Sequence, residues 1–355
     1  MKMLVNALSA TNQSGRHVLL GHLSRIAEWT AGRMEYVVLY HQSNRDIVRD
    51  MGSNVSWKEA PRLTAKWPVR LVWERMRLPR LAAKWGCGCY FTPSGTTVNR
   101  LDLPQIVFCQ NPWALVEGLN RSPAGRLKAY LQRRAYARAM REAALMVFNS
   151  EYMRRAYRSN ARTKASKSAV VHQGIADSTY EAANEITARI ERRRNQILSV
   201  SAMAPHKNVE TVLRALRILR THHSVSANLE LVGKWPDPAY RKRIESLTKE
   251  LGVSNRVCFR GYVPRNVLHR FYAESGAFCL MSRCESFGIP AVEAQAFGTP
   301  VVTSNCCAIP DICGQGGLCL DPEDARDLAD KLRNVLTKRR VWEELSAKAR
   351  NNARR

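Results

Sequence analysis

Short apolar runs alternate with longer amphipathic stretches along the whole chain. The opening MKMLVNALSA reads as a short strand. A turn at Ser14-Gly15, an amphipathic stretch over 16–29 and the apolar run MEYVVLYH follow it. Strand, helix and strand in that order make a βαβ unit, whose strands pair in parallel. Apolar runs at 104–109 and 145–150 alternate with helical stretches, notably 125–143, where basic residues interleave with Leu127, Tyr130, Leu131 and Met140. A parallel sheet covered by helices on both faces is expected.

The polar stretch 181–196 reads as an interdomain connection, and the pattern restarts after it. NQILSVSAM is a strand, 208–222 a helix, LELVG a strand, 240–251 a helix, RVCFRG a strand and 276–281 another. The expected fold class is α/β, with two doubly wound Rossmann-like domains facing a cleft. The first domain is expected over 1–182 and the second over 195–338, with a C-terminal helix over 339–355. Open sheets of this kind take ligands at the carboxyl ends of their strands.

Composition agrees with this organisation. With 355 residues, 45% of them hydrophobic, the chain has material for two cores and is not a disordered polymer. No apolar run reaches the roughly 18–20 residues that span a bilayer, and the apolar start at 3–8 lacks the length and cleavage pattern of a signal peptide. A cytoplasmic protein is expected, soluble or peripheral on the inner face of the cell membrane. The ten cysteines form no C-x-x-C pair with a matching partner, and the group Cys306, Cys307, Cys313 and Cys319 has poor ligand spacing and no accompanying His. Reduced thiols and no metal site are expected.

The net charge of +26 calls for a polyanionic environment, be it nucleic acid, an anionic membrane face or a phosphorylated substrate. Both halves share it: residues 1–185 hold 28 Lys and Arg against 13 Asp and Glu, and the remainder 28 against 17. The segment 62–85 concentrates it, with seven Lys or Arg, three Trp and one Glu. Basic amphipathic segments with Trp lie in headgroup layers, so contact with an anionic membrane surface is expected here; an ordinary domain helix with a solvated basic face has the same composition.

The candidate chemistry lies in the run Cys284-Glu285-Ser286-Phe287-Gly288-Ile289-Pro290-Ala291-Val292-Glu293-Ala294. Pro290 suits the first turn of a helix, and Gly298-Thr299-Pro300 stops that helix about two turns later. Glu285 then falls on the loop before the helix and Glu293 within its first turn. Two carboxylates stand beside a helix N-terminus, whose unpaired N–H groups suit a diphosphate, while carboxylates accept hydrogen bonds from sugar hydroxyls. Glu293 as a partner of the helix dipole and Glu285 as a solvated loop residue is the alternative.

This run resembles the E-x7-E motif of retaining glycosyltransferases of family 4, which have the GT-B architecture. The likeness extends over 195–335, through the strand and Lys-containing loop at 200–208, LELVG, the turn Phe259-Arg260-Gly261-Tyr262-Val263-Pro264, and Ile309-Pro310-Asp311. The N-terminal half is covered weakly. The resemblance implies that Glu285 binds hydroxyls of the donor sugar and that the amides of Phe287 and Gly288 sit near that sugar and the phosphates. It implies that Glu293 binds the ribose, and that Lys207 and the helix start at Gly288, Ile289 and Pro290 neutralise the diphosphate. The family commonly has an Arg five residues before that Lys, where this chain has Ala202; His206 or another basic residue is expected to compensate.

The resemblance further implies an acceptor-binding N-terminal domain that adds a Gly-rich first loop, here Gly15, which binds the donor by letting backbone amides approach a phosphate, and a polar group near the reacting carbon, here Asn111. A simple Asn-Pro turn at 111–112 is the other reading of Asn111. The implied reaction is retaining, metal-independent transfer of a hexosyl group from a nucleotide-diphosphate sugar to a glycan or lipid-linked acceptor, as in bacterial surface polysaccharide synthesis. It needs no cofactor beyond that donor. The implied catalytic set is Glu285, Lys207 and Asn111, with positioning and charge stabilisation in place of a protein nucleophile. The competing readings are a basic nucleic-acid-binding protein, for which no recognised motif is present and no nucleic acid is therefore expected, and a catalytically weak membrane-associated scaffold of the same fold.

Overall fold

The computed structural model describes residues 1–11, 13–119, 122–165 and 167–354. The chain divides into two compact units, Met1–Gln173 and Gly174–Arg355.

The first unit runs β1 (Lys2–Asn6), α1 (Gln13–Trp29), β2 (Glu35–Tyr40), β3 (Val55–Glu59), α2 (Trp67–Lys84), β4 (Cys89–Thr92), β5 (Gln105–Cys109), α3 (Pro123–Glu142), β6 (Leu145–Phe148), α4 (Glu151–Ala161) and β7 (Ser168–Val170). The strands pair in parallel in the order β3-β2-β1-β4-β5-β6-β7. Alternate residues serve opposite faces: Val5 and Val38 pack with α1, while Leu4 and Leu39 pack under α2. The expected turn at Ser14-Gly15 is absent, because α1 already begins at Gln13 and Gly15 is its third residue. Burial of Val18, Leu19, Leu20 and Leu23 outweighs the roughly 1 kcal/mol that a helical Gly costs relative to Ala.

The second unit runs α5 (Asp177–Thr187), β8 (Arg193–Val200), α6 (Val209–His223), β9 (Asn228–Val232), α7 (Pro238–Glu250), β10 (Val257–Gly261), α8 (Arg265–Glu274), β11 (Ser275–Leu280), α9 (Ile289–Ala296), β12 (Val301–Ser304), α10 (Ile309–Cys313), β13 (Gly317–Leu320), α11 (Ala325–Thr337) and α12 (Arg339–Ala353). Its parallel sheet has the order β10-β9-β8-β11-β12-β13, with α6 and α11 in the core of one face and α8 and α9 in that of the other. The charged stretch 181–196 is structured: most of it lies on α5, whose Ala183 packs in the same core as Tyr272, and on β8. Its polar residues cover the outer side of a helix that buries Thr179 and Ala183. Gly276 lets β11 approach β8 closely, since a Cβ there would lie 2.3 Å from the Arg194 carbonyl oxygen.

Candidate functional site

The chain leaves β8 through α6 toward β9 on one side, and returns through α8 to β11 on the other side of β8. The loops after β8 and β11 thus diverge from a topological switch point, where open α/β sheets take ligands. The first loop carries His206 and Lys207 on a single 3-10 turn, Pro205–Lys207, and ends at the left-handed residue Asn208. The second carries Arg283, Cys284 and Glu285 and ends at Gly288.

The two loops are tied together by main-chain and side-chain bonds. The Arg283 amide donates to the His206 carbonyl at 2.8 Å, and the Ser282 hydroxyl donates to the same oxygen at 3.2 Å. Arg283 grips Glu323 through Nε and Nη2, at 2.5 and 3.0 Å. Its Nη1 donates to the Pro205 carbonyl and its Nη2 to Asn208 Oδ1. A guanidinium with this many donors holds both loops with one side chain. Above this brace, Lys207 Nζ pairs with Glu285 Oε1, and both side chains are mostly buried.

His206 lies against Lys207, Glu285 and Arg283. Burial and then the Lys207 charge push its pKa down to about 4, against a smaller opposing pull from Glu285. The ring is therefore neutral at pH 7 and adds no positive charge beside Lys207 there. Cys284 and Cys307 share a hydrogen bond that, with burial, raises the Cys284 thiol pKa, so Cys284 stays protonated beside Glu285.

The helix α9 begins after Gly288, whose φ of +92° is one an L side chain rarely adopts. A Cβ there would also meet Ile309 Cδ1 at 2.5 Å. Pro290 stands in the first turn, as expected, with Ile289 opening the helix and Phe287 buried before it. Glu293 is not in that first turn. It is the fifth residue of α9, one turn further in and 9% exposed. Its Oε2 accepts from the Tyr272 hydroxyl at 2.9 Å, and Arg265 Nη2 lies 3.4 Å from Oε1 while donating to the Thr179 hydroxyl at 2.6 Å. Burial raises the Glu293 pKa, and Arg265 and Tyr272 oppose the rise.

The structure thus brings Lys207 and Glu285 together, places Phe287, Gly288 and Ile289 on the same loop and helix start, and gives Glu293 a separate set of partners. Gly15 and Asn111 belong to the other unit. Asn111 follows β5, and its Oδ1 accepts from the Trp113 amide at 3.0 Å, the bond of an Asx turn. Arg283, Tyr272, Arg265 and Thr179 were not foreseen. Each acts through a partner 28 to 86 residues away, apart from Tyr272 at 21, and no local pattern marks such pairs. Among the described residues no three His, Cys, Asp or Glu side chains are placed to hold a metal ion, and no helix is long and apolar enough to cross a membrane.

Residues 183–355 match the family model of glycosyl transferases group 1. The O-antigen chain mannosyltransferase B of Escherichia coli is 34% identical over 129 residues, 36% of this chain and 33% of that protein. The MMP alpha-(1->4)-mannosyltransferase of Mycolicibacterium hassiacum is 34% identical over 166 residues, 46% of this chain and 39% of its own length. The chain spans well under half the length of these curated relatives. Among solved structures, the sucrose-phosphate synthase of Thermosynechococcus elongatus superposes with a TM-score of 0.76 at 19% identity, covering 100% of this chain and 94% of the other. WaaG, a glycosyltransferase involved in lipopolysaccharide biosynthesis, does so with 0.69 at 16% identity, covering 100% and 95%. Such likenesses carry the fold. The chain has the GT-B fold, two α/β units each built on a parallel sheet, and its residues 183–355 are similar in sequence to glycosyl transferases group 1.

Proposed function

We propose that this protein is a hexosyltransferase that moves a hexosyl group from a nucleotide-diphosphate sugar to a glycan or lipid-linked acceptor in the synthesis of a surface polysaccharide, with retention of anomeric configuration. The observation that carries the reading is the meeting of Lys207 and Glu285 at the switch point of the second sheet. A cation and a carboxylate at one strand edge suit the two ends of such a donor, the diphosphate and the sugar hydroxyls. The relatives support a hexosyl donor: several are named mannosyltransferases, which makes mannose the first hexose to try.

In this reading Lys207 and the amides at the start of α9 stabilise the charge that develops on the leaving diphosphate. Glu285 orients the sugar and Glu293 the ribose. The acceptor hydroxyl attacks on the face from which the diphosphate departs, and its proton passes to the leaving phosphate. No metal is required, since the positive groups belong to the chain. Asn111 and Gly15 keep the roles that the family resemblance implies for them, Asn111 as a polar group near the reacting carbon and Gly15 as a glycine at a donor phosphate.

The test is consumption of GDP-mannose, UDP-glucose and related donors by the full chain with lipid-linked and free glycan acceptors, the product anomer being read by NMR. Transfer with retention, reduced on the order of 100-fold by Lys207→Ala, is the expected result. Transfer that is indifferent to both Lys207→Ala and Glu285→Ala overturns the site, and an inverted product overturns the mechanism. A second reading, a scaffold of very low turnover, is favoured by Ala202 and by the uncharged His206, which leave Lys207 without a second cation on its loop.

A further inference from the structure

The second unit carries a cavity that the proposed transfer does not use. Its volume is about 350 Å³, and it lies between α5 and α12, with Ala296, the last residue of α9, in its lining. The helix start at Ile289 is at the other end of α9, eight residues and roughly 12 Å away at about 1.5 Å per residue. The cavity is therefore separate from the site built on Lys207 and Glu285.

Helix periodicity builds its two walls. On α5, Tyr180, Asn184 and Thr187 fall at i, i+4 and i+7 and share one side of the helix, next to the stripe that buries Thr179 and Ala183. On α12, Arg350 and the C-cap residue Arg354 are four positions apart and share a side in the same way. The Tyr180 hydroxyl donates to the Ala353 carbonyl and ties the two walls together. Between the walls, Ala188 and Ala296 contribute only methyl groups, which leaves the space open.

The lining holds two guanidiniums and, among the described residues, no carboxylate. The Arg354 guanidinium has no hydrogen-bond or ion-pair partner among the described residues, and that of Arg350 is bonded to the Ser346 hydroxyl alone, at 3.1 Å. Arg350 is nonetheless held in position, since its guanidinium lies against Gly298, where a Cβ would collide with it. A third guanidinium, that of Arg192, is buried nearby. Burial and then the Arg350 charge hold the Arg192 pKa down to about 10. Cations gathered without an acid are the electrostatic setting of a phosphate, and planar guanidiniums match its oxygens in pairs.

The rest of the lining indicates what carries that phosphate. At roughly 30 Å³ per water the cavity has room for about ten waters, far more than one phosphate fills. Thr187 Oγ1 is shielded from solvent and has no partner among the described residues, and the Asn184 amide stands beside it on the same side of α5. A hydroxyl and an amide offer both donors and acceptors to the hydroxyls of a sugar. No branched aliphatic side chain lines the cavity, so a lipid chain would bury little apolar surface there.

We propose that the cavity between α5 and α12 binds a sugar phosphate, with the phosphate monoester on Arg350 and Arg354 and the sugar hydroxyls on Asn184 and Thr187. The inference does not depend on the transfer reading, because binding is measured without turnover.

The test is titration calorimetry of the full chain with glucose 6-phosphate and mannose 6-phosphate, against inorganic phosphate, AMP and glucose at matched ionic strength. One saturable site is expected for a hexose phosphate, at least about tenfold tighter than for inorganic phosphate, and none for glucose. A protein of net charge +26 attracts any anion to some degree, so the decisive variant leaves charge unchanged: Ala188→Phe fills the cavity from an exposed position at the end of α5. That variant, and separately Arg350→Gln with Arg354→Gln, should each weaken hexose phosphate binding by at least about tenfold, while Lys207→Met binds as wild type does. Circular dichroism confirms the fold of each. Four results overturn the proposal: no saturable binding of either hexose phosphate, inorganic phosphate or AMP bound as tightly as they are, cavity variants that bind as tightly as wild type, or binding lost in Lys207→Met and kept in the cavity variants, which would put the anion at the other site.

Discussion

Lys207 and Glu285, 78 residues apart in sequence, pair with each other across the switch point of the second sheet, with 13% and 15% of their side chains exposed. Two residues with separate expected tasks are thus each other's partner. In the proposed function, a diphosphate competes with Glu285 for the ammonium, and a sugar hydroxyl competes with Lys207 for the carboxylate. Pairing also keeps either charge from being desolvated alone.

Removing one member should therefore cost more than removing both. Lys207→Met is expected to destabilise the fold by about 1–3 kcal/mol, because it strands a mostly buried carboxylate. Adding Glu285→Gln should restore part of that loss, with a coupling of about 1–2 kcal/mol in a double-mutant cycle. Denaturant unfolding of the four proteins measures it, and additive losses would show that the pair contributes nothing to stability.

Tyr272 fixes one oxygen of Glu293. Its hydroxyl is fully buried and its pKa is held well above the ordinary value, so it remains a donor at any working pH. Tyr272→Phe should leave Glu293 less oriented and raise its pKa further. If Glu293 holds the ribose, the donor KM rises by about tenfold while kcat changes little, the pattern of lost uniform binding. An unchanged KM, with only a lower melting temperature, would make Tyr272 purely structural.

His206 carries a pH signature. Its folded pKa of about 4 lies below the ordinary value of 6.5, so the unfolded chain binds more protons between those two values. The stabilisation is complete above pH 6.5 and is lost as pH falls through 4. Wild type should lose up to about 3 kcal/mol over that interval beyond what His206→Gln loses. Urea midpoints measured from pH 7 to 4 decide it; parallel curves for the two proteins would mean that His206 titrates normally.

Much of the second unit was legible along the chain. β9 falls on LELVG, β10 on RVCFRG and β11 on 276–281 to within a residue, because each is an apolar run whose period matches its burial. α9 was also legible, since Pro290 and Gly298 mark its two ends by backbone rules that act within a few residues. Errors arose where a local signal met a distant one. Ser14-Gly15 carries turn composition, yet packing of the apolar residues after it extends α1 back to Gln13. The polar run 181–196 resembles a linker, yet Ala183, Ile186 and Ile190 pack against a core supplied by α8 and α9. Glu293 falls in the first turn only if the helix starts at Pro290; α9 opens one residue earlier at Ile289, which makes Glu293 its fifth residue and puts it in the second turn.

The sequence by itself determined the alternation of strands and helices in both halves, the ends of α9 and the motif that holds Glu285 and Glu293, since propensity, periodicity and capping are properties of neighbouring residues. Only the tertiary structure decided that Lys207 pairs with Glu285, that Arg283 braces both their loops, and that His206 is uncharged. Strand order across the sheet sets these relationships. β8 and β11 become neighbours although β9 and β10 separate them in sequence, and the partners and the burial of each charge follow from that placement.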